Sequence, residues 1–261
     1  IDFEVIIVND HSTDASMDIL QQWDGKHRIK VIDFQDELPN LIGKKAAIQK
    51  GILAASNDIL AFTDADCQIH SSWLHEIARV MTPETDYLLG YSIINRHYED
   101  TDLRLKNFER SIYYALAAAG LYWRTPITSS ACNMVYRKSL FERAGGFGKI
   151  GMLTSGDDDL LLMRMMPFIR KSAYNPALAM QIVSTEGKNL IKRFNTNVRR
   201  ASKFRFHPLY LKALCVFVFA YYSLFYWSLL HSFFAQFSVS IVAAIDRKRT
   251  RLNSSHRIRS R

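Results

Sequence analysis

Residues 59 to 69 read ILAFTDADCQI, and the fold turns on how that stretch is read. Ile59 to Phe62, extended by Thr63, form a short apolar run that suits a buried strand, and the run ends directly in Asp64-Ala65-Asp66. Carboxylates at i and i+2 leaving a strand end can point into one crevice. Hard oxygen ligands placed there suit Mg²⁺ or Mn²⁺ that already carries phosphate oxygens, and such an ion would neutralise a diphosphate. The competing reading is that Asp64 and Asp66 only cap a turn, or the helix that starts near Ser71, since Asp favours such positions. Neighbouring motifs have to decide between the two.

Upstream, Phe3 to Val8 (FEVIIV) reads as a strand, NDHSTDAS as an acidic turn, and the run through Trp23 as an amphipathic helix with Ser12 or Thr13 as its N-cap. Ile29 to Phe34 is a second strand. Lys44 to Ala55 is a helix that gathers Ala46, Ala47, Ile52 and Leu53. Strands alternating with helices predict parallel βαβ units, whose ligands bind beyond the carboxyl ends of the strands. Asp10 and Asp64 to Asp66 both occupy such ends.

Downstream, the pattern predicts a helix to Met81, a strand over Tyr87 to Ile94 and a long helix over Asp102 to Ala119. A strand over Ser129 to Tyr136 follows, then a short helix over Arg137 to Ala144 stopped by Gly145-Gly146. In SGDDDLLLMRM, Asp157, Asp158 and Asp159 open an apolar helix. Acids there complement the helix dipole, yet repulsion among three adjacent carboxylates is a cost that capping alone does not require. A general base with raised pKa is the functional alternative.

The 261 residues can bury a full core plus an appendage, and 48% hydrophobic residues with 16 Phe and 12 Tyr exclude disorder. Cys67, Cys132 and Cys215 are odd in number, far apart in sequence and without metal-ligand spacing. They predict a reducing compartment, with Cys67 as a small buried residue. Of the formal net charge of +9, residues 246–261 carry +6. That tail contains DRKRTRLNSSH, which resembles the translation of a sequencing adaptor, so it is given no function and no nucleic-acid partner is expected.

Taken together and in order, these motifs resemble the inverting GT-A glycosyltransferases of family 2, over roughly residues 3 to 205. VNDHSTD resembles the segment whose Asp, here Asp10, contacts the nucleotide base. GKKAAIQKG is similar to the Gly-Lys helix and would place Lys44 near the nucleotide phosphates. FTDADC looks like the metal motif, with Asp64 towards ribose and Asp66 on the metal. SSACNMVYRKSLFERAGGF resembles the segment that leads to the acceptor side, with Asn133 and Arg137 at recurrent positions. SGDDDL resembles the Glu-Asp-X-Asp-Leu motif, which makes Asp157 the catalytic base and leaves Asp158 as its competitor. The chain departs from the pattern in three places. The family's first strand and helix are expected to precede Ile1, Gly156 replaces the motif's Glu, and TNVRR keeps only Arg199 of the processive Gln-X-X-Arg-Trp signature.

The last part is a different kind of sequence. RFNTNVRRASKFR, residues 193–205, interleaves basic residues with Phe194 and Phe204, as a helix on an anionic bilayer would. Ala213 to Leu230 is an uncharged run of eighteen residues with Tyr221, Tyr222, Tyr226 and Trp227, long enough to span a membrane. Phe233 to Ile245 predicts the start of a second span. Basic residues before Ala213 put the preceding domain in the cytoplasm, at the inner membrane.

The expectation is therefore an α/β chain. It has a GT-A (Rossmann-like) nucleotide-sugar-binding domain over 1–190, a basic interfacial segment over 191–212, a transmembrane region over 213–245 and the tail over 246–261. The resemblance implies a nucleotide-sugar donor, a Mg²⁺ or Mn²⁺ cofactor and a lipid-linked or glycan acceptor. A polyisoprenyl-phosphate glycosyltransferase, a noncatalytic nucleotide-sugar-binding protein and a nucleotidyltransferase are the alternatives.

Overall fold

The computed structural model describes residues 1–94, 101–184, 198 and 203–258, which divide into one unit over Ile1–Phe206 and a second over His207–Arg261. In the first unit, β1 (Val5–Asp10), α1 (Ser16–Gln21), β2 (Ile29–Phe34) and α2 (Lys44–Ala54) lead to β3 (Ile59–Phe62). β1 and β2 pair in parallel, with Asp10 beside Phe34 and Asn9 beside Asp33. α2 closes over β1, and a side chain at Gly51 would already touch Val8 at 3.4 Å. Neither Ser12 nor Thr13 caps α1. The cap lies at Ala15, and the Asp14 carboxylate accepts the Ser16 backbone N–H at 3.0 Å. The alanines and Ile52 of α2 are buried as expected, whereas Leu53 is exposed.

From β3 onward the chain departs from a purely parallel sheet. After β4 (Cys67–Ile69), α3 (Trp73–Val80), β5 (Thr85–Gly90) and β6 (Ser92–Ile94) come α4 (Thr101–Tyr122), β7 (Met134–Arg137), α5 (Lys138–Arg143), α6 (Asp159–Met165), β8 (Lys171–Asn175) and β9 (Ile182–Ser184). One sheet runs β3-β7-β5-β8 and another β4-β9-β6. β7 is antiparallel to β3 and β5, while β8 is parallel to β5. The expected strand over 87–94 breaks at Tyr91, so β5 and β6 join different sheets. The expected strand over 129–136 begins instead with a 3₁₀ turn at Ala131–Asn133. Pairing partners far along the chain decide these changes, and local periodicity carries no record of them.

β5 and β7 are buried on both faces, and the two-residue period of a strand divides their side chains between two cores. Tyr87, Leu89, Met134 and Tyr136 face a core with Tyr114, Phe141, Phe147 and Leu161. Leu88 and Val135 face the other with Trp73, Ile77, Met180 and Ile182. A buried ion cluster ties the far end of this sheet. Asp86 is fully buried and receives Arg170 Nη2 at 2.7 Å, Arg170 Nε at 3.0 Å and the Arg170 backbone N–H at 2.8 Å.

The second unit is a single helix, α7 (Leu209–Ile258), whose stretch Leu209–Gln236 is long and apolar enough to cross a membrane and contains eighteen consecutive residues of mean hydropathy 1.8, none of them buried. The helix runs on without a break through Phe233 to Ile245, where the sequence suggested the start of a second span. At about 1.5 Å per residue those 28 residues extend about 42 Å, more than a hydrocarbon core of about 30 Å. Half of the basic segment over 191–212, including all of TNVRR except Val198, lies outside the described residues.

Candidate active site

Three elements bring the predicted residues together. β3 delivers Asp64 at its carboxyl end, α2 begins at Lys44 after Gly43, and the turn into α6 presents Asp157. Lys44 Nζ donates to Asp64 Oδ1 at 2.6 Å and lies 3.6 Å from Asp157 Oδ2. Burial pulls the Lys44 pKa down, but Asp64 and then Asp157 outweigh it, so the net shift is upward and the ammonium stays charged. The arrangement is a cation held between two carboxylates at a strand end, in a place an anionic diphosphate could enter.

Adjacent lysines on a helix point about 100° apart, and the pair in GKKAA uses both directions. Lys44 reaches the crevice. Lys45 is buried, and its ammonium donates to the carbonyls of Leu153 and Ser155, at 2.9 Å for the latter. It thereby fixes the loop that leads into Gly156 and Asp157. The sequence reading missed this role, although two consecutive lysines on a helix with one buried face are a signal for it.

The three acids before α6 do different work. Asp158 is the N-cap, accepting the Asp159 N–H at 2.7 Å, and the Asp159 carboxylate accepts the Leu160 N–H at 2.7 Å. Asp157 has no such helix contact, and its side chain is 16% exposed on the crevice side with Lys44. Gly156, where the motif has Glu, has φ +97°, and a Cβ there would stand 2.6 Å from Leu160 Cδ1. The departure from the motif therefore has a backbone reason.

Asp10 stands apart at the end of β1, its Oδ1 2.8 Å from His11 Nδ1. His11 has φ 56°, a turn conformation uncommon outside glycine, and the bond to Asp10 raises its pKa. Beside them Asp33 accepts from Asn9 Nδ2 and Gln35 Nε2, both at 2.8 Å, and those bonds lower its pKa. Asn9, His11 and Asp33 join Asp10 in one polar edge that the sequence reading missed, because Asp33 reaches it from the next strand.

The two residues expected on the acceptor side are hydrogen-bonded within the fold. Asn133 is buried, its Oδ1 accepting from Trp73 Nε1 at 3.1 Å and its Nδ2 donating to the carbonyls of Tyr91 at 2.9 Å and Met180 at 2.7 Å. Its amide is committed to joining elements of the core. Arg137 pairs in register with Ile59, at the end of β3 opposite to Asp64, and donates to Thr85 O, Thr82 O and Asp58. Both side chains hold hydrogen bonds within the fold.

The turn after β3 holds Asp66, with Cys67 Sγ 3.8 Å from its Oδ1. Asp64 and Asp66 offer carboxylate oxygens on one turn, a donor set that fits a hard divalent cation with coordination left for phosphate oxygens. The cysteines, separate in sequence, do not stay separate. Cys67 and Cys132 meet beside Asp64.

The α/β fold of mixed sheets is GT-A-like. Residues 1–144 match the family described as Glycosyl transferase family 2, and the chain belongs to that family. Glycosyltransferase EpsH of Bacillus subtilis (strain 168) is 29% identical over 181 residues, which cover 66% of this chain and 49% of that protein. The crystal structure of S. aureus TarS 1-349 aligns with TM-score 0.50 at 21% identity, over 70% of this chain and 51% of that one, and shares the GT-A-like fold. The chain thus spans about half the length of the curated relative it matches.

Proposed function

We propose that this glycosyltransferase moves a sugar from a nucleotide-sugar donor to a lipid-linked or polysaccharide acceptor, with inversion, at the cytoplasmic face of a membrane. The observation that carries the reading is Lys44, held 2.6 Å from Asp64 and 3.6 Å from Asp157. A donor diphosphate entering the crevice would compete with both carboxylates for that ammonium and release Asp157. Asp157 would then take the proton of an acceptor hydroxyl as its oxygen attacks the anomeric carbon opposite the departing diphosphate. One displacement inverts the centre, and a single base suffices. Asp158, already committed as a helix cap, is the weaker candidate. Asp10 and its neighbours on β1 and β2 would receive the base, and Asp64 the ribose side.

Asp66 would hold Mg²⁺ or Mn²⁺, which when bound neutralises the leaving diphosphate. The exposed apolar surface of α7 and the basic residues before it support the membrane placement and an acceptor carried there. The test is Mn²⁺-dependent binding and slow hydrolysis of a panel of nucleotide sugars by the full chain. Asp66→Ala is expected to lose the metal-dependent binding, and Asp157→Asn to abolish transfer while keeping it. Full transfer by Asp157→Asn refutes the assignment of the base, and binding without turnover of any donor favours a noncatalytic nucleotide-sugar-binding protein.

A further inference from the structure

The turn that carries Asp64 and Asp66 also carries a second kind of donor. Cys67 opens β4, and Cys132 sits in the 3₁₀ turn before β7. The two thiol sulfurs and a carboxylate oxygen of Asp64 all lie within 4.8 Å of one another. A tetrahedral ion with metal–sulfur bonds near 2.3 Å needs ligand atoms about 3.8 Å apart, so an inward movement of about 1 Å closes the set. Cys67 is half-buried, Cys132 is buried and the Asp64 side chain is partly exposed. Ser130 Oγ lies 3.2 Å from Cys132 Sγ, placed to donate to a thiolate as an outer-shell partner. Asp64 Oδ1 is engaged by Lys44, and the carboxylate has a second oxygen for a metal. Two sulfurs and one carboxylate are the wrong set for Mg²⁺ and a suitable one for a thiophilic d¹⁰ cation.

We propose that Cys67, Cys132 and Asp64 form a Zn²⁺ site, distinct from the hard-cation position at Asp66, with its fourth position open to solvent. Binding releases the two thiol protons to solvent and changes no oxidation state. Because the site takes Asp64, Zn²⁺ occupancy excludes the nucleotide from it, and this consequence alone rests on the function proposed above. The site is a soft-metal brake on a hard-metal enzyme.

The test uses the full chain, reduced, stripped of metal and kept in detergent, with Co²⁺ as the spectroscopic probe. One equivalent of Co²⁺ is expected to give tetrahedral d–d bands and sulfur-to-cobalt charge transfer, both displaced by Zn²⁺. Cys67→Ser and Cys132→Ser are each expected to lose charge-transfer intensity. Their Zn²⁺ affinity, measured by chelator competition, should fall by more than the roughly 10- to 100-fold that loss of an outer-shell partner costs. If a variant does not fold, the native chain answers by alkylation. Zn²⁺ should protect Cys67 and Cys132 and leave the exposed Cys215 reactive. An octahedral, oxygen-only cobalt spectrum, or equal alkylation of all three cysteines with and without Zn²⁺, overturns the site. Nucleotide binding with Mn²⁺ is read separately, so a failed transferase reading leaves the spectroscopic result standing.

Discussion

Restoring the family's Glu at position 156 should damage this protein. At φ +97° a side chain is strained, at a cost of about 1–3 kcal/mol. The Cβ would meet Leu160 Cδ1 at 2.6 Å, Cγ at 2.9 Å and Cβ at 3.1 Å, so Leu160 cannot escape by turning its tip alone. Leu160 is 3% exposed and must displace core neighbours, which adds about 1–3 kcal/mol of overpacking. The sum, about 2–6 kcal/mol, is a large share of the roughly 5–15 kcal/mol that holds a domain together. Gly156→Ala already supplies the Cβ and should show most of the loss. Gly156→Glu should lose at least as much, and with it the placement of Asp157 one residue on. Urea unfolding of the full chain followed by tryptophan fluorescence, alongside nucleoside diphosphate release, measures both. Loss of less than about 0.5 kcal/mol in Gly156→Ala, or faster turnover in Gly156→Glu, refutes the backbone argument and returns the departure to drift.

Three further outcomes follow from buried groups. Burial alone would raise the Asp86 pKa, but the hydrogen bonds from Arg170 outweigh it and hold the carboxyl below its ordinary value of 3.8. Its contribution is therefore full above that value and is lost as pH falls through the lower folded pKa, so Asp86→Asn should flatten the acid limb of a stability–pH curve. With Arg170 59% exposed, its cost at pH 7 should fall near the low end of the roughly 3–5 kcal/mol for breaking a buried pair. The Tyr136 hydroxyl is buried without a hydrogen-bond partner among the described residues, while its ring stacks on Phe62 at 4.7 Å. Tyr136→Phe keeps the stack and should raise stability by about 1 kcal/mol, or about 2–4 °C in thermal unfolding; a lower midpoint would show that the hydroxyl is satisfied. Lys45→Met removes the anchors to Leu153 and Ser155, and should lower turnover far more than metal-dependent nucleotide binding, since Lys45 holds the loop that leads into Asp157, the proposed base. Equal losses in both would place it in the fold alone.

Local pattern made much of this protein legible. β2 lies on Ile29 to Phe34 as read, α2 begins at Lys44, and β3 ends where the acidic pair begins. Such features follow from apolar periodicity and from residues whose backbone preferences act within a few positions. Asp10, Lys44, Asp64 and Asp157 stood out as candidates, because acids and lysines at strand ends and helix starts are conspicuous against apolar runs, and the fold brings the last three together. The split of β5 from β6 was not visible, and neither were the antiparallel β7 or the single unbroken α7. Pairing of β5 with β8 and of β6 with β9, more than eighty residues on, decides the first, and pairing of β7 with β3 and β5 decides the second.

The sequence by itself determined which side chains are chemically able to act and which turns carry them, since those are properties of residue type and short-range order. Tertiary structure alone decided how they are used. It spent Asn133 and Arg137 on the core, made Asp158 a cap and sent Lys45 beneath the loop that its neighbour Lys44 faces. It also set Cys67 against Cys132. Distances between residues remote in sequence depend on the register of whole strands, and no short stretch of chain encodes that register alone.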